Sequence, residues 1–162
     1  MSDGTERYHL NEIRSGGTVE STERELVAGF FAKFNKIMPR LVSYNGKYFD
    51  LPVLKYRAMK HGIQAKLLFK GGDKWNNYHS RYSMNWHCDL IDAFSDYGAS
   101  ARVKMSEISA LLGIPCKTST DGSMVQKLFL EGKTEEIRNY CEEDVINTYL
   151  QYLRFQHLNS TI

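Results

Sequence analysis

Residues 41–62, LVSYNGKYFDLPVLKYRAMKHG, read as a strand, a turn and a helix in succession. Leu41 to Tyr44 is a short apolar run closed by Asn45-Gly46, a dipeptide that favours turns. Pro52 suits the first turn of a helix, where its missing N–H costs nothing, and Gly62 stands where that helix should end. A buried strand feeding directly into a helix is the unit of an α/β sheet. It sets Asp50 just past a strand's carboxyl end, in the crevice where ligands collect. Asp50 is equally suited to capping the helix that Pro52 opens, and the segment alone leaves both roles open.

Outward from this unit the chain keeps alternating strands and helices, so the fold class is α/β. Upstream, Thr22-Glu23-Arg24-Glu25 has the form of a capping box. Leu26, Val27, Phe30, Phe31, Phe34, Ile37 and Met38 then mark one helical face closed by Pro39. Residues 8–14 alternate loosely and are expected to form a strand before Gly16-Gly17. Downstream, short strands are expected over Ala65 to Phe69 and Cys88 to Ile91. Helices are expected from Met105 to Leu112, after a cap at Asp121, and from Thr134 to about Gln156. No internal repeat or linker divides the 162 residues, so a single domain is expected.

The composition excludes several classes. With 42% apolar and 25% charged residues the chain is globular, and no apolar run approaches the ~20 residues of a membrane span. The net charge of +2 is too small to argue for nucleic-acid binding by itself. Three widely spaced cysteines, Cys88, Cys116 and Cys141, do not make a disulfide framework, and a reducing cytoplasm is the expected setting. MSDGTERYHL has no apolar stretch that would mark secretion. His79, His87, Cys88 and Cys116 lack the spacing of a structural zinc site. Neither a nucleophilic triad nor a glycine-rich phosphate loop is present.

A second chemical constellation lies at Tyr140-Cys141-Glu142-Glu143-Asp144. Tyr140 and Asp144 are four residues apart and share a helix face. A carboxylate there can hold a hard cation while the phenol one turn away positions a water. The alternative is a solvated acidic face with a boundary tyrosine. Between the two constellations, loop 71–86 carries Trp75, Tyr78, Arg81 and Tyr82 with Lys74, His79 and Trp86. Rings mixed with basic side chains either stack bases and bind phosphates, or fold over and staple a long loop. Asp89 and Asp92 flank a strand end, where Asp92 suits a helix cap.

Asn45 to Asp50 resembles the second motif, Asn-x-x-x-Phe/Tyr-Asp, of the DEDD 3′–5′ exonucleases. Tyr140 and Asp144 resemble the third motif, Tyr-x-x-x-Asp, in its tyrosine-bearing DEDDy form. LVSYNGKYFDLPVLKYRAMKHG, NNYHSRYSMNWHCDLIDAFSDYGASA and DGSMVQKLFLEGKTEEIRNYCEEDVINTYLQYLR look like a bacterial family of predicted exonucleases. That family is related to the exonuclease domain of family B DNA polymerases and belongs to the DnaQ-like superfamily. The likeness runs from about Ser21 to Phe155. It implies an RNase H-like mixed sheet flanked by helices and stepwise hydrolysis of 3′-terminal phosphodiesters. The implied substrate is DNA with single-stranded ends, and the implied cofactors are two Mg²⁺ or Mn²⁺ ions. It further implies Asp50, Tyr140 and Asp144 as catalytic residues, with Asp50 and Asp144 as metal ligands. Asn45, Lys47, Phe49, Trp75, Tyr78, Arg81 and Tyr82 fall to nucleic-acid binding.

One part of the pattern is missing. The first motif, Asp-x-Glu at the end of the first strand, has no counterpart. Asp3 with Glu6, and Glu12, follow no apolar strand. The segment before Asn45 looks like the family's third strand and first helix. The expectation is therefore an N-terminally incomplete domain lacking the first two strands, with one weakly held ion or none, and weak or no hydrolysis. Exposed sheet edges would favour assembly with a second copy or another chain. The alternatives are a non-catalytic nucleic-acid-binding module and a half-domain that assembles with itself or another chain.

Overall fold

The computed structural model describes residues 9–115 and 122–159. They fall into two compact units, residues 16–103 and a second made of 9–15 with the residues from 104 onward.

The first unit is built on the segment quoted above. Helix α1 (Glu23–Ile37) opens with the expected capping box. The Glu25 N–H donates to Thr22 Oγ1 at 3.3 Å, and the Thr22 N–H donates to Glu25 Oε2 at 2.8 Å. Val27, Phe31 and Phe34 are buried, whereas Leu26, Phe30, Ile37 and Met38 on the same apolar face stay exposed. Strand β1 (Leu41–Ser43) pairs in parallel with β2 (His87–Asp89), with Leu41 opposite His87 and Ser43 opposite Asp89. This two-stranded sheet among helices fits the α/β class. Helix α2 (Asp50–His61) carries Pro52 in its first turn and ends at Gly62, whose φ of 65° a side chain would strain. Glu23 ties α1 to α2 by meeting Arg57, Lys60 and His61; hydrogen bonds from His61 and Lys60 hold its carboxyl down at about 2.

Three local expectations are corrected. Lys66–Lys70 is a short helix, α3, in place of the strand expected over Ala65 to Phe69. Lys-Leu-Leu-Phe-Lys has no β-branched residue, and Leu and Lys favour helix. Strand β2 stops at Asp89, and α4 (Leu90–Phe94) follows at once, because Asp89 accepts the Ile91 N–H at 3.3 Å and caps it. Asp92 therefore lies inside the helix and does not cap it. Residues 9–14 form no strand; Glu12 and Arg14 pair with each other at 2.6 Å in solvent.

In the second unit α5 (Met105–Leu111) and α6 (Val125–Leu130) pack on the long α7 (Thr134–Leu158). α5 ends at Gly113, whose φ is 65°. Ser109, Ile114, Leu128 and Tyr152 are buried. Gln151, fully buried, donates from Nε2 to the Met105 carbonyl at 3.0 Å and to Ser109 Oγ at 2.8 Å, fixing α5 against α7. Ser15 donates to Glu142 Oε1 at 2.5 Å and ties the 9–15 stretch to the same helix. Asp3, Glu6, Cys116 and the cap expected at Asp121 lie outside the described residues.

Candidate active site

The turn from Asn45 to Asp50 is held from below. Asp89, 1% exposed, accepts the Asn45 N–H at 2.7 Å on one carboxylate oxygen and the Lys47 N–H at 2.8 Å on the other. Asn45 sits at φ 68°, a left-handed conformation that asparagine tolerates. Gly46 is buried, and a Cβ there would meet Ser43 Oγ at 2.5 Å. The Tyr48 and Phe49 N–H groups donate back to the Asn45 carbonyl, and the Leu51 N–H donates to the Gly46 carbonyl, so the turn winds directly into α2.

This frame carries Asp50 as the first residue of α2. Phe49 occupies the cap position and no side chain caps the helix, so Asp50 does not take the capping role. Its residue surface is exposed, yet surrounding bulk crowds the carboxyl and raises its pKa, a shift that its own backbone N–H partly offsets.

Beside the turn lies a second buried carboxylate. Asp92, 1% exposed, accepts the Tyr48 hydroxyl at 2.9 Å. Lys47 Nζ lies 3.6 Å from its other oxygen, and Arg102 lies 3.7 Å away while covering the Tyr48 ring at 4.2 Å. Lys47 also donates to the Ser80 carbonyl at 3.2 Å and the Arg81 carbonyl at 3.5 Å. The ammonium expected to meet a nucleic-acid backbone thus braces loop 71–86 against the turn. His87, buried on β2, meets Ser43 Oγ at 2.7 Å, and burial drives its pKa down to about 4, so the ring is neutral near pH 7.

Loop 71–86 is stapled and open at once. Asp73 Oδ1 accepts the Trp75 and Asn76 N–H groups, both at 2.7 Å, and Ser80 Oγ donates to the Trp75 carbonyl at 2.6 Å. Tyr78 has no exposed surface: it donates to the Pro39 carbonyl and packs against Phe34 and Trp86. It is a core residue and offers no free face for stacking a base. Trp75, Tyr82 and Phe49 are 73%, 69% and 63% exposed, and Arg81 is exposed over the Tyr82 ring at 5.3 Å.

Tyr140 and Asp144 lie four residues apart on α7, both half-buried. They belong to the second unit and Asp50 to the first. Among the described residues no three His, Cys, Asp or Glu side chains gather to hold a metal ion. Asp89 is already filled by three backbone N–H groups. Within the first unit, Asp50 is the one expected metal ligand, and a single carboxylate does not fit a two-ion centre.

Sequence reasoning missed the support beneath the turn. Its signal is an aspartate at the last position of a buried strand, followed by a short helix.

A carboxylate just past the end of a parallel strand, on a turn braced by buried acids, marks an α/β protein with its crevice at that strand end. The match over residues 1–162 makes the chain a member of the family described as predicted 3′–5′ exonucleases related to the exonuclease domain of PolB. It is 27% identical over 144 residues to a catalytic subunit of DNA polymerase epsilon from Dictyostelium discoideum, covering 85% of this chain and 6% of that one. It is 24% identical over 137 residues to a DNA polymerase of Archaeoglobus fulgidus, covering 79% of this chain and 17% of that one. A catalytic subunit of DNA polymerase epsilon from Arabidopsis thaliana is 24% identical over 143 residues, again 6% of its own length. The chain thus spans a small fraction of these relatives. No solved structure matches it. No helix among the described residues is long and apolar enough to cross a membrane.

Proposed function

We propose that the chain is a 3′–5′ exonuclease domain of RNase H-like type acting on single-stranded DNA ends, with slow hydrolysis. The supporting observation is the Asp50 carboxyl on a turn locked by Asp89. The family likeness gives Asp50 of the first unit and Tyr140 and Asp144 of the second the hydrolytic roles, and Asn45, Phe49, Trp75, Arg81 and Tyr82 the guiding of the strand. Where the family uses Mg²⁺ or Mn²⁺, Asp50 and Asp144 are the residues that would hold an ion, each as a single carboxylate, and slow hydrolysis is expected. Incubation with 5′-labelled single-stranded DNA tests the reading. A slow Mn²⁺-dependent ladder from the 3′ end, lost in EDTA and in Asp144→Ala, is expected. Cleavage that survives EDTA or the substitution overturns it.

A second reading is favoured by the exposed rings of Trp75, Tyr82 and Phe49. A non-catalytic module would bind single strands in EDTA, lose them as salt rises, and give no ladder with Mn²⁺.

A further inference from the structure

The first unit, residues 16–103, carries 13 basic and 8 acidic residues, a net charge of +5 with histidine neutral. A cavity of about 230 Å³ lies in it beside the start of α2. Leu51, Pro52 and the Tyr48 ring give it an apolar lining. The polar groups of its wall are engaged within the protein. Tyr48 donates its hydroxyl to Asp92, Lys47 is held by Asp92 and the loop carbonyls, and the His79 ring meets the Leu68 backbone. Asp92 itself is 1% exposed and closed off. Two lining cations differ from these. Lys55 and Arg81 have no carboxylate partner among the described residues; each lies over the tyrosine next to it in sequence, at 4.7 Å and 5.3 Å. An apolar hollow with two uncompensated cations selects a ligand that is apolar and anionic at once. A nucleobase set against Leu51 and Pro52 would leave its edge donors and acceptors unpaired, whereas an aliphatic side chain gains from the same burial. A guanidinium and an ammonium beside it suit carboxylates. The volume falls below the ~300 Å³ where pockets for drug-sized ligands begin, which suits one anchoring side chain.

We propose that this cavity docks an acidic segment of a partner protein, with one aliphatic side chain against Leu51 and Pro52 and the carboxylates beside it on Lys55 and Arg81. The net charge of the unit draws such a segment in and makes the encounter sensitive to salt. The site needs no metal and no hydrolysis. It therefore stands or falls apart from the exonuclease reading.

Fluorescence anisotropy with the full chain in EDTA tests it, using the labelled peptides Asp-Glu-Leu-Asp-Glu, Asp-Glu-Gly-Asp-Glu and Asn-Gln-Leu-Asn-Gln as probes. Saturable binding is expected for the first, binding about tenfold weaker for the second, and none for the third. Lys55→Gln and Arg81→Gln should each weaken the acidic leucine peptide about tenfold, whereas Lys36→Gln on α1 should leave it unchanged. An unchanged melting temperature shows that each variant is folded. The Leu51 methyl signals should shift with the acidic leucine peptide and stay in place with the glycine one. Equal binding of these two peptides reduces the contact to charge alone and overturns the proposal. Failure of the acidic leucine peptide to bind, or binding that ignores both cavity substitutions, overturns it too. Oligo(dT) that binds in EDTA more tightly than the peptide and depends on Lys55 would assign the cavity to nucleic acid instead. A Mn²⁺-dependent ladder without peptide binding would remove the docking site and leave the exonuclease reading standing, and peptide binding without a ladder would do the reverse.

Discussion

Asp89 and Gly46 decide the geometry around Asp50 one atom at a time. Asp89→Ala leaves three backbone N–H groups without their acceptor and should destabilise the chain by about 2–3 kcal/mol, read from denaturant midpoints. Asp89→Asn keeps the shape but loses one acceptor, so it should cost less. Gly46→Ala forces a methyl onto Ser43 and should cost about 1–3 kcal/mol in the same measurement. His87 supplies a pH signature. Its folded pKa of about 4 lies below the ordinary 6.5, so the unfolded chain binds the extra proton. Stability from this group is fully present above pH 6.5 and is lost as pH falls from 6.5 toward 4. The loss is about 3 kcal/mol. Melts of His87→Gln should show a shallower decline across that window. An equal decline in the variant would remove His87 as its source.

At the scale of elements, legibility followed the strength of local signals. The capping box of α1, Pro52 and Gly62 around α2, and Gly113 after α5 each name one backbone geometry, and those elements stand where the sequence set them. Lys66–Lys70 did not, because three apolar residues between two lysines have no period long enough to separate strand from helix. The break between β2 and α4 was hidden for a related reason: Cys88, Leu90 and Ile91 are apolar on both sides of the junction, and the Asp89 side chain turning onto the Ile91 N–H ends the strand. Asp92 was misassigned as a cap because its partners, Tyr48, Lys47 and Arg102, are remote in sequence. Tyr78 was grouped with the loop's stacking rings because nothing local marks its bond to Pro39. Thr22→Ala should cost about 1 kcal/mol, visible as a lower melting temperature.

For the whole molecule, the family and the α/β class were readable from long blocks of sequence, whereas the partition into two units was not. No linker composition marks it; it arises from α5 and α6 each packing on α7. Each strand of the two-stranded sheet has one edge without a strand partner among the described residues. Such edges invite pairing, so a second copy that completes the sheet should make the melting temperature rise with protein concentration. A flat concentration series would argue against self-assembly. Hydrolysis at DNA 3′ ends is tested most directly by the 5′-labelled single-strand assay. A slow 3′-end ladder with Mn²⁺ that disappears in EDTA and in Asp144→Ala is expected. A folded chain that binds the strand but leaves it uncut with Mn²⁺ would contradict it.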